Sequence, residues 1–298
     1  MHAYFGEFTS FLVAIFWAVS AIAFESAGKR IGSLSVNIVR LVVAMLFLSI
    51  YSWIVRGLPF PSDASVYNWI WLSFSGLVGF VLGDLFLFKA FTVIGSRLSL
   101  LIMNLAPPIA AFAGWLFLGE NISFYALLGI IVTFSGISLV VFGHNSEQEK
   151  FRLNVPIKGL LFALGGAFGQ AFGLILSKKG MDGYDAFAAT QIRIITGIVG
   201  FLVIIIVMGR LKRTMDALSN KQAMMESSVG AFFGPFLGVG FSLLSLKYTA
   251  TGIAATIMAT TPIILIIPSV LIFKQRVKVK EIIGAILSIV GLTLFFVK

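Results

Sequence analysis

Ten apolar runs of similar length alternate with short polar separators along the chain. They fall at about 8–26, 35–55, 67–88, 97–118, 124–143, 157–177, 186–208, 227–246, 251–273 and 281–297. A helix needs roughly 20 apolar residues to cross about 30 Å of hydrocarbon, and each run is close to that length. The separators carry Gly, Lys or Arg and are too short for an extramembrane domain. The longest are 56–66, 144–156 and 209–226. The pattern predicts an all-α integral membrane protein of ten transmembrane helices.

The runs repeat. Gly79, Gly83, Phe86, Ile102-Met103, Pro107, Gly129 and Gly136 recur 155 positions later as Gly234, Gly238, Phe241, Ile257-Met258, Pro262, Gly284 and Gly291. Earlier in each half, Arg40 matches Arg193 and Trp17 matches Gln170 at an offset of 153. Two five-helix repeats are therefore expected, at residues 1–145 and 157–298, joined by a polar linker at 146–156. Five is odd, so the second copy enters the bilayer inverted, an arrangement that points to alternating access and transport.

Composition agrees. Of 298 residues, 59% are hydrophobic and only 11% charged, against about 25% charged in soluble domains. There is no Cys, and the two His lie at the amino end and in a separator. Thiolate chemistry, disulfides and a His or Cys metal centre are thus excluded as expectations. No cofactor is expected, and without clustered His, Asp or Glu no enzymatic site. No basic stretch precedes the first run, so 8–25 reads as a retained helix and not a cleaved signal. The net charge of +10 reports topology and not nucleic acid, because its Lys and Arg sit in the separators. One side carries five of them (Arg56, Lys178, Lys179, Lys247, Lys298). The other carries fifteen, including Lys29, Arg30, Lys89, Arg97, Arg210 and Arg213. By the positive-inside rule both termini lie outside a cell membrane.

Polar residues inside apolar runs are the candidates for chemistry. Asp84, in GFVLGDLFLFKAF, is the only acidic residue well inside a run. An ionised carboxylate in hydrocarbon needs a cavity or a partner. It reads as a proton-coupling or amine-recognising group, or as an ion pair with Lys89. Arg40 and Arg193 read as a substrate counter-charge or, at opposite membrane faces, as two structural anchors that snorkel to headgroups. Pro107 and Pro262 predict helix kinks that free backbone carbonyls. Asn104, Thr256, Thr260 and Thr261 lie within two turns of them, placed either to bind a polar substrate or to satisfy the kink. Trp17 and Gln170, near mid-helix, read as cavity walls or core. Glu25 reads as an i,i+4 partner of Lys29. The glycine pairs on the third, fifth, eighth and tenth runs read as close-packing faces.

Ten runs in two halves, with Asn104-Leu105-Ala106-Pro107-Pro108, Thr260-Thr261-Pro262 and Leu118-Gly119-Glu120, resemble the EamA branch of the drug/metabolite transporter superfamily over almost the whole chain. The resemblance implies a central substrate cavity lined by the first, third, fourth, sixth, eighth and ninth helices. It also implies export of amino acids and other metabolites, or exchange of phosphorylated sugars. Two features depart from the family: Lys274-Gln275 stands where a second Gly-Glu is expected, and ten-helix relatives commonly keep both termini in the cytosol. The reading that follows is a gradient-driven secondary transporter of a small organic metabolite, amino-acid-like and exported, with Asp84 as the coupling candidate. An anion or phosphorylated-metabolite exchanger is the alternative; a membrane scaffold or a lipid-modifying protein is more remote. Expected partners are the small-molecule substrate, the lipid bilayer and protons, with the protein a monomer or homodimer.

Overall fold

The structure is a computed structural model and describes residues 4–118, 123–144, 151–153, 156–181, 183–245, 248, 257–274 and 277–295. It is built of helices, in the order α1 (Phe5–Ile31), α2 (Ser33–Arg56), α3 (Val66–Ser75), α4 (Asp84–Met103), α5 (Ala106–Leu118), α6 (Phe124–Val141), α7 (Ile157–Gly180), α8 (Ala186–Val207), α9 (Leu211–Leu218), α10 (Lys221–Ala231), α11 (Val239–Ser245), α12 (Thr261–Ile264), α13 (Ile266–Leu271) and α14 (Val279–Phe295). Among the described residues, five stretches are long and apolar enough to cross a membrane: Phe5–Ile31, Ser33–Arg56, Val66–Met103, Ile157–Ser177 and Ala186–Val207. Shorter apolar helices run from Leu127 to Val141 and from Thr261 to Leu271. Large apolar side chains such as Leu46, Ile54, Ile206 and Val207 are exposed, as a lipid-facing surface requires.

Two connections are shorter than the polar separators predict. Gly32 (φ 82°) alone separates α1 from α2, and Gly95 (φ 81°) breaks α4 with nearly the same backbone geometry. Only glycine takes this conformation without strain, so each break is a single residue. Helical structure consequently persists through Lys89 to Ile94, beyond the expected end at 88. The break at Gly95 is capped from elsewhere in the fold. The Glu25 carboxylate, fully buried, accepts a hydrogen bond from the Ser96 backbone N–H (2.6 Å) while pairing with Lys29 (2.6 Å). The i,i+4 pair is present as expected, and Glu25 has this second role as well.

The all-helical expectation needs one amendment. Phe142–His144, just before the linker, and Phe151–Leu153, within it, form a short antiparallel ladder, pairing Phe142 with Leu153 and His144 with Phe151.

Between α3 and α4, and again between α10 and α11, the chain widens into π-helical segments at Gly76–Gly83 and Phe232–Gly238. The two end 155 residues apart, at equivalent positions of the repeat. Both carry the paired glycines, which here bring backbones together. A Cβ on Gly173 of α7 would lie 2.8 Å from the Gly79 Cα, and one on Gly83 would lie 3.2 Å from the Gly169 carbonyl carbon. In the other half Gly238 packs against Trp17, whose Nε1 would be 2.5 Å from a Gly238 Cβ, and Gly234 packs against Ser20. Each π segment thus seats on the first helix of the opposite half. Gly136 of α6 and Gly284 of α14 meet in the same reciprocal way, each leaving room for the other's carbonyl oxygen.

Candidate functional site

A cavity of about 470 Å³ lies between the two halves. Its walls combine residues from α1, α2, α4, α5, α7 and α12 with both π segments, and Trp17, Asp84, Asn104, Gln170, Pro107 and Pro262 all line it. Phe24, Phe80, Phe88 and Phe91 line it as well.

At its polar end, Asp84 begins α4 directly after the π segment and is 4% exposed. Its partner is Arg40, whose guanidinium Nη2 donates to Asp84 Oδ2. Gln170 Nε2 donates to Asp84 Oδ1 at 2.8 Å. Arg40 is steadied in turn by a hydrogen bond from its Nε to Asn37 Oδ1 (3.0 Å), and it lies over the Phe88 ring at 4.6 Å. Arg193 stacks over Phe80 at 4.4 Å, and its Nη2 occupies the space that a Cβ on Gly79 would approach to 3.2 Å. Its Nε is buried with no hydrogen-bond partner among the described residues.

Two expectations are corrected here. Arg40 and Arg193 are not peripheral anchors at opposite faces, because both converge on Phe80 and Asp84. Asp84 does not pair with Lys89, because Lys89 lines a different pocket. The helical turn explains the second point: five residues along α4, the Lys89 side chain has rotated away from that of Asp84.

The prolines break the helices where expected. The regular i→i−4 hydrogen bonding is interrupted by i→i−3 turns at Asn104-Leu105, between α4 and α5, and at Ala259-Thr260, before α12. Pro268 adds a further interruption, at Leu265. With no N–H on Pro262, the Met258 carbonyl is released, and the Thr261 hydroxyl takes it up at 2.7 Å. Thr261 lines the cavity as well. Thr260 does not; its hydroxyl donates to the Ile257 carbonyl at 2.6 Å, a kink-satisfying role and not a cavity one. Asn104 reaches across to the second half, its Nδ2 lying 3.4 Å from Ser288 Oγ and 3.5 Å from the Ala259 carbonyl. Trp17 packs with Val13, Met258 and Phe241. Thr256, Gly119, Glu120 and Gln275 lie outside the described residues.

The halves are also tied at their edges. On the strongly basic side Arg97 pairs with Glu281, Arg30 with Glu226 at 3.3 Å, and Lys29 lies 4.2 Å over the Phe273 ring. On the other side Arg56 pairs with Asp63 (2.6 Å), which accepts a hydrogen bond from the Tyr184 hydroxyl (2.8 Å). Partial desolvation pushes the Asp63 carboxyl up. The hydrogen bonds from Tyr184 and its own backbone N–H, with the Arg56 charge, outweigh it and hold the group below the usual carboxylate range. Burial, reinforced by the bond to Asp63, pushes Tyr184 up to about 12, so its hydroxyl remains a donor at any physiological pH. A carboxylate whose folded pKa is depressed contributes stability above its ordinary value, here 3.8, and loses it as pH falls through the folded value. Thermal unfolding of the wild type should therefore acquire a steeper acid-side decline below about pH 4 than that of Asp63→Asn. Equal slopes for the two proteins would show that this link carries no pH-dependent stability.

Comparison with known proteins agrees with this architecture. An uncharacterized transporter of Archaeoglobus fulgidus is 22% identical over 288 residues, covering 96% of this chain and 95% of that protein. The uncharacterized transporter YoaV of Bacillus subtilis is 26% identical over 141 residues, 47% of this chain, and the match spans only 48% of that protein. A solved crystal structure shares the fold with a TM-score of 0.58 at 14% identity, covering 97% of this chain and 95% of the other. The description "EamA-like transporter family" fits the sequence twice, over residues 4–142 and 157–297. With both halves matched and a multi-pass array of apolar helices around a central cavity, the chain belongs to the EamA-like transporter family.

Proposed function

We propose that the protein is a secondary transporter that moves a small, amino-acid-like metabolite out of the cell by alternating access. In this reading ten helices form two inverted five-helix units, residues 1–145 and 157–298, which rock about the central cavity in the cell membrane with both termini outside. The observation that carries the proposal is the cavity itself. It combines aromatic walls with one concentrated polar end, where Asp84, Arg40 and Gln170 are linked by hydrogen bonds. Such a site suits an amphipathic solute, with its charged backbone groups at the polar end and an apolar side chain against the phenylalanines. Broken helices at Pro107 and Pro262 place irregular backbone beside the cavity, where it is tolerated in a membrane. Asp84 is the proton-coupling carboxylate: protonation releases Arg40, which then meets the substrate carboxylate.

Counterflow in proteoliposomes against a panel of amino acids tests this. Uptake of at least one apolar or aromatic amino acid is expected, and correctly folded protein that exchanges none of the panel would refute the amino-acid assignment. Repeating the assay with Asp84→Asn over a range of external pH is expected to show exchange that no longer responds to a proton gradient. Full proton-driven flux in that variant would remove Asp84 from the coupling step.

One observation favours a second reading. Arg40 pairs with Asp84 and Arg193 shares the Phe80 ring with Arg40, so the cluster carries a net positive charge, and Arg193 Nε has no hydrogen-bond partner among the described residues. An anionic metabolite, phosphorylated or carboxylated, would complement that charge. Exchange of phosphate esters in preference to amino acids in the same assay would support it.

A further inference from the structure

A second pocket, separate from the central cavity, lies where α1 turns into α2 on the strongly basic side. We propose that it is a binding site for a phosphate-bearing anion at the membrane surface. Its volume is about 470 Å³. Five basic residues line it, Lys29, Arg30, Lys89, Arg210 and Arg213, and no acidic one does among the described residues. Lys29 and Arg30 already have carboxylate partners in Glu25 and Glu226. Lys89, Arg210 and Arg213 form no ion pair with any described residue and are exposed.

Neutral donors complete the site. The 24-residue helix α2 starts in this pocket, with Gly32 at its N-cap and no side-chain cap. Its first intrahelical hydrogen bond is from Val36 N–H to the Gly32 carbonyl (3.2 Å), so the N–H groups of Ser33, Leu34 and Ser35 have no partner among the described residues and stand at the positive end of the helix dipole. The hydroxyl-bearing residues Ser33, Ser35 and Thr214 are 7%, 4% and 8% exposed, line the pocket, and make no side-chain hydrogen bond to a described residue. The residues are nine-tenths buried while their hydroxyl oxygens stay accessible from the pocket, free to donate to a ligand there. Cations, free backbone N–H groups and hydroxyls together match the several acceptor oxygens of a phosphate.

The neighbouring helix α9 sets the depth of the site. Leu211, Met215 and Leu218 recur at i, i+4 and i+7 and are 51%, 58% and 43% exposed. Thr214 and Ala217, on the adjoining flank, are buried against the protein. A short helix with an exposed apolar face and basic residues lies in the bilayer interface. The pocket is thus level with lipid headgroups, on the side where the charge bias places the cytoplasm and its anionic lipids. The same chemistry is offered by a phospholipid headgroup and by a free phosphate.

Native mass spectrometry of the full-length protein, equilibrated in mixed micelles with equal phosphatidylglycerol and phosphatidylcholine, separates the sources when paired with thermal unfolding in inorganic phosphate. The test variant is Lys89→Gln/Arg210→Gln/Arg213→Gln. Its substitutions are at exposed, unpaired side chains, and its unfolding midpoint in phosphatidylcholine alone should equal that of the wild type. Ser35→Ala serves as a second variant that leaves every charge in place. The wild type is expected to retain phosphatidylglycerol over phosphatidylcholine, and the triple variant to lose that preference by about tenfold or more. A rise in the wild-type midpoint with inorganic phosphate, absent from the triple variant and weakened in Ser35→Ala, without any lipid preference, would establish the soluble anion as the ligand. A wild type that responds to neither probe, or a triple variant that responds as the wild type does, would overturn the proposal. Neither arm depends on flux, so the result is independent of the transport reading.

Discussion

Arg40→Ala is expected to destabilise the folded protein by about 3–5 kcal/mol and to abolish transport, because it strands the Asp84 carboxylate in a buried site. Asp84 would keep only the hydrogen bond from Gln170 and the charge of Arg193, which stacks on Phe80 and gives it no hydrogen bond. The double variant Arg40→Ala/Asp84→Asn removes both charges and should recover most of the lost stability, though not the flux. Unfolding of the four proteins in detergent completes the cycle. If the double variant is destabilised by the sum of the single effects, Arg40 and Asp84 are not energetically coupled and the polar end of the cavity is not a unit.

Gly169→Leu is also expected to destabilise the protein and reduce transport, through a different cause. A Cβ at Gly169 falls against the backbone of Gly83 in the π segment, 2.8 Å from its nitrogen and closer still to its Cα. Backbone cannot rotate away as a side chain can. The two helices must separate, at a cost of about 1–3 kcal/mol or more for so large a group, with the cavity walls displaced. Gln170 is the next residue, so its bond to Asp84 would be displaced as well. Gly240→Ala is the control, since its Cβ would meet only the Phe187 ring at an ordinary 3.4 Å. Unfolding midpoints and counterflow should fall for Gly169→Leu and remain near wild type for Gly240→Ala. Comparable losses in both would mean that close packing at the π segment has no special role.

The helices were readable because membrane spans announce themselves by length and apolarity, and the glycine faces because close approach admits no side chain. The proline breaks followed from the missing N–H. The polar and aromatic residues singled out inside apolar runs, Asp84, Asn104, Trp17 and Gln170, do share one cavity. What could not be read were partnerships made across the fold. Asp84 has Lys89 five residues away in sequence, yet its partner is 44 residues distant on α2. The duplicated arginines looked like equivalent anchors under a symmetric frame, but only the first half supplies an aspartate for them to gather around. Glu25 as a cap for Ser96 was hidden for the same reason, its partner lying 71 residues on. The π segments carry no period distinct from that of an α-helix in so uniformly apolar a stretch as GLVGFVLG. The short helix α9 falls in what reads as a long polar separator, because eight residues are too few to show a span.

The absence of native cysteine allows the central claim, that solute passes through the cavity between the halves, to be tested at one atom. Ala259→Cys places a single thiol in the cavity wall, beside the break before α12. In proteoliposomes showing counterflow, an impermeant thiol reagent is applied from either side in turn, with and without substrate. Labelling from both sides, slowed by substrate and followed by loss of counterflow, is the predicted result. Undiminished counterflow after complete labelling would contradict it, because the transported solute would then be passing elsewhere.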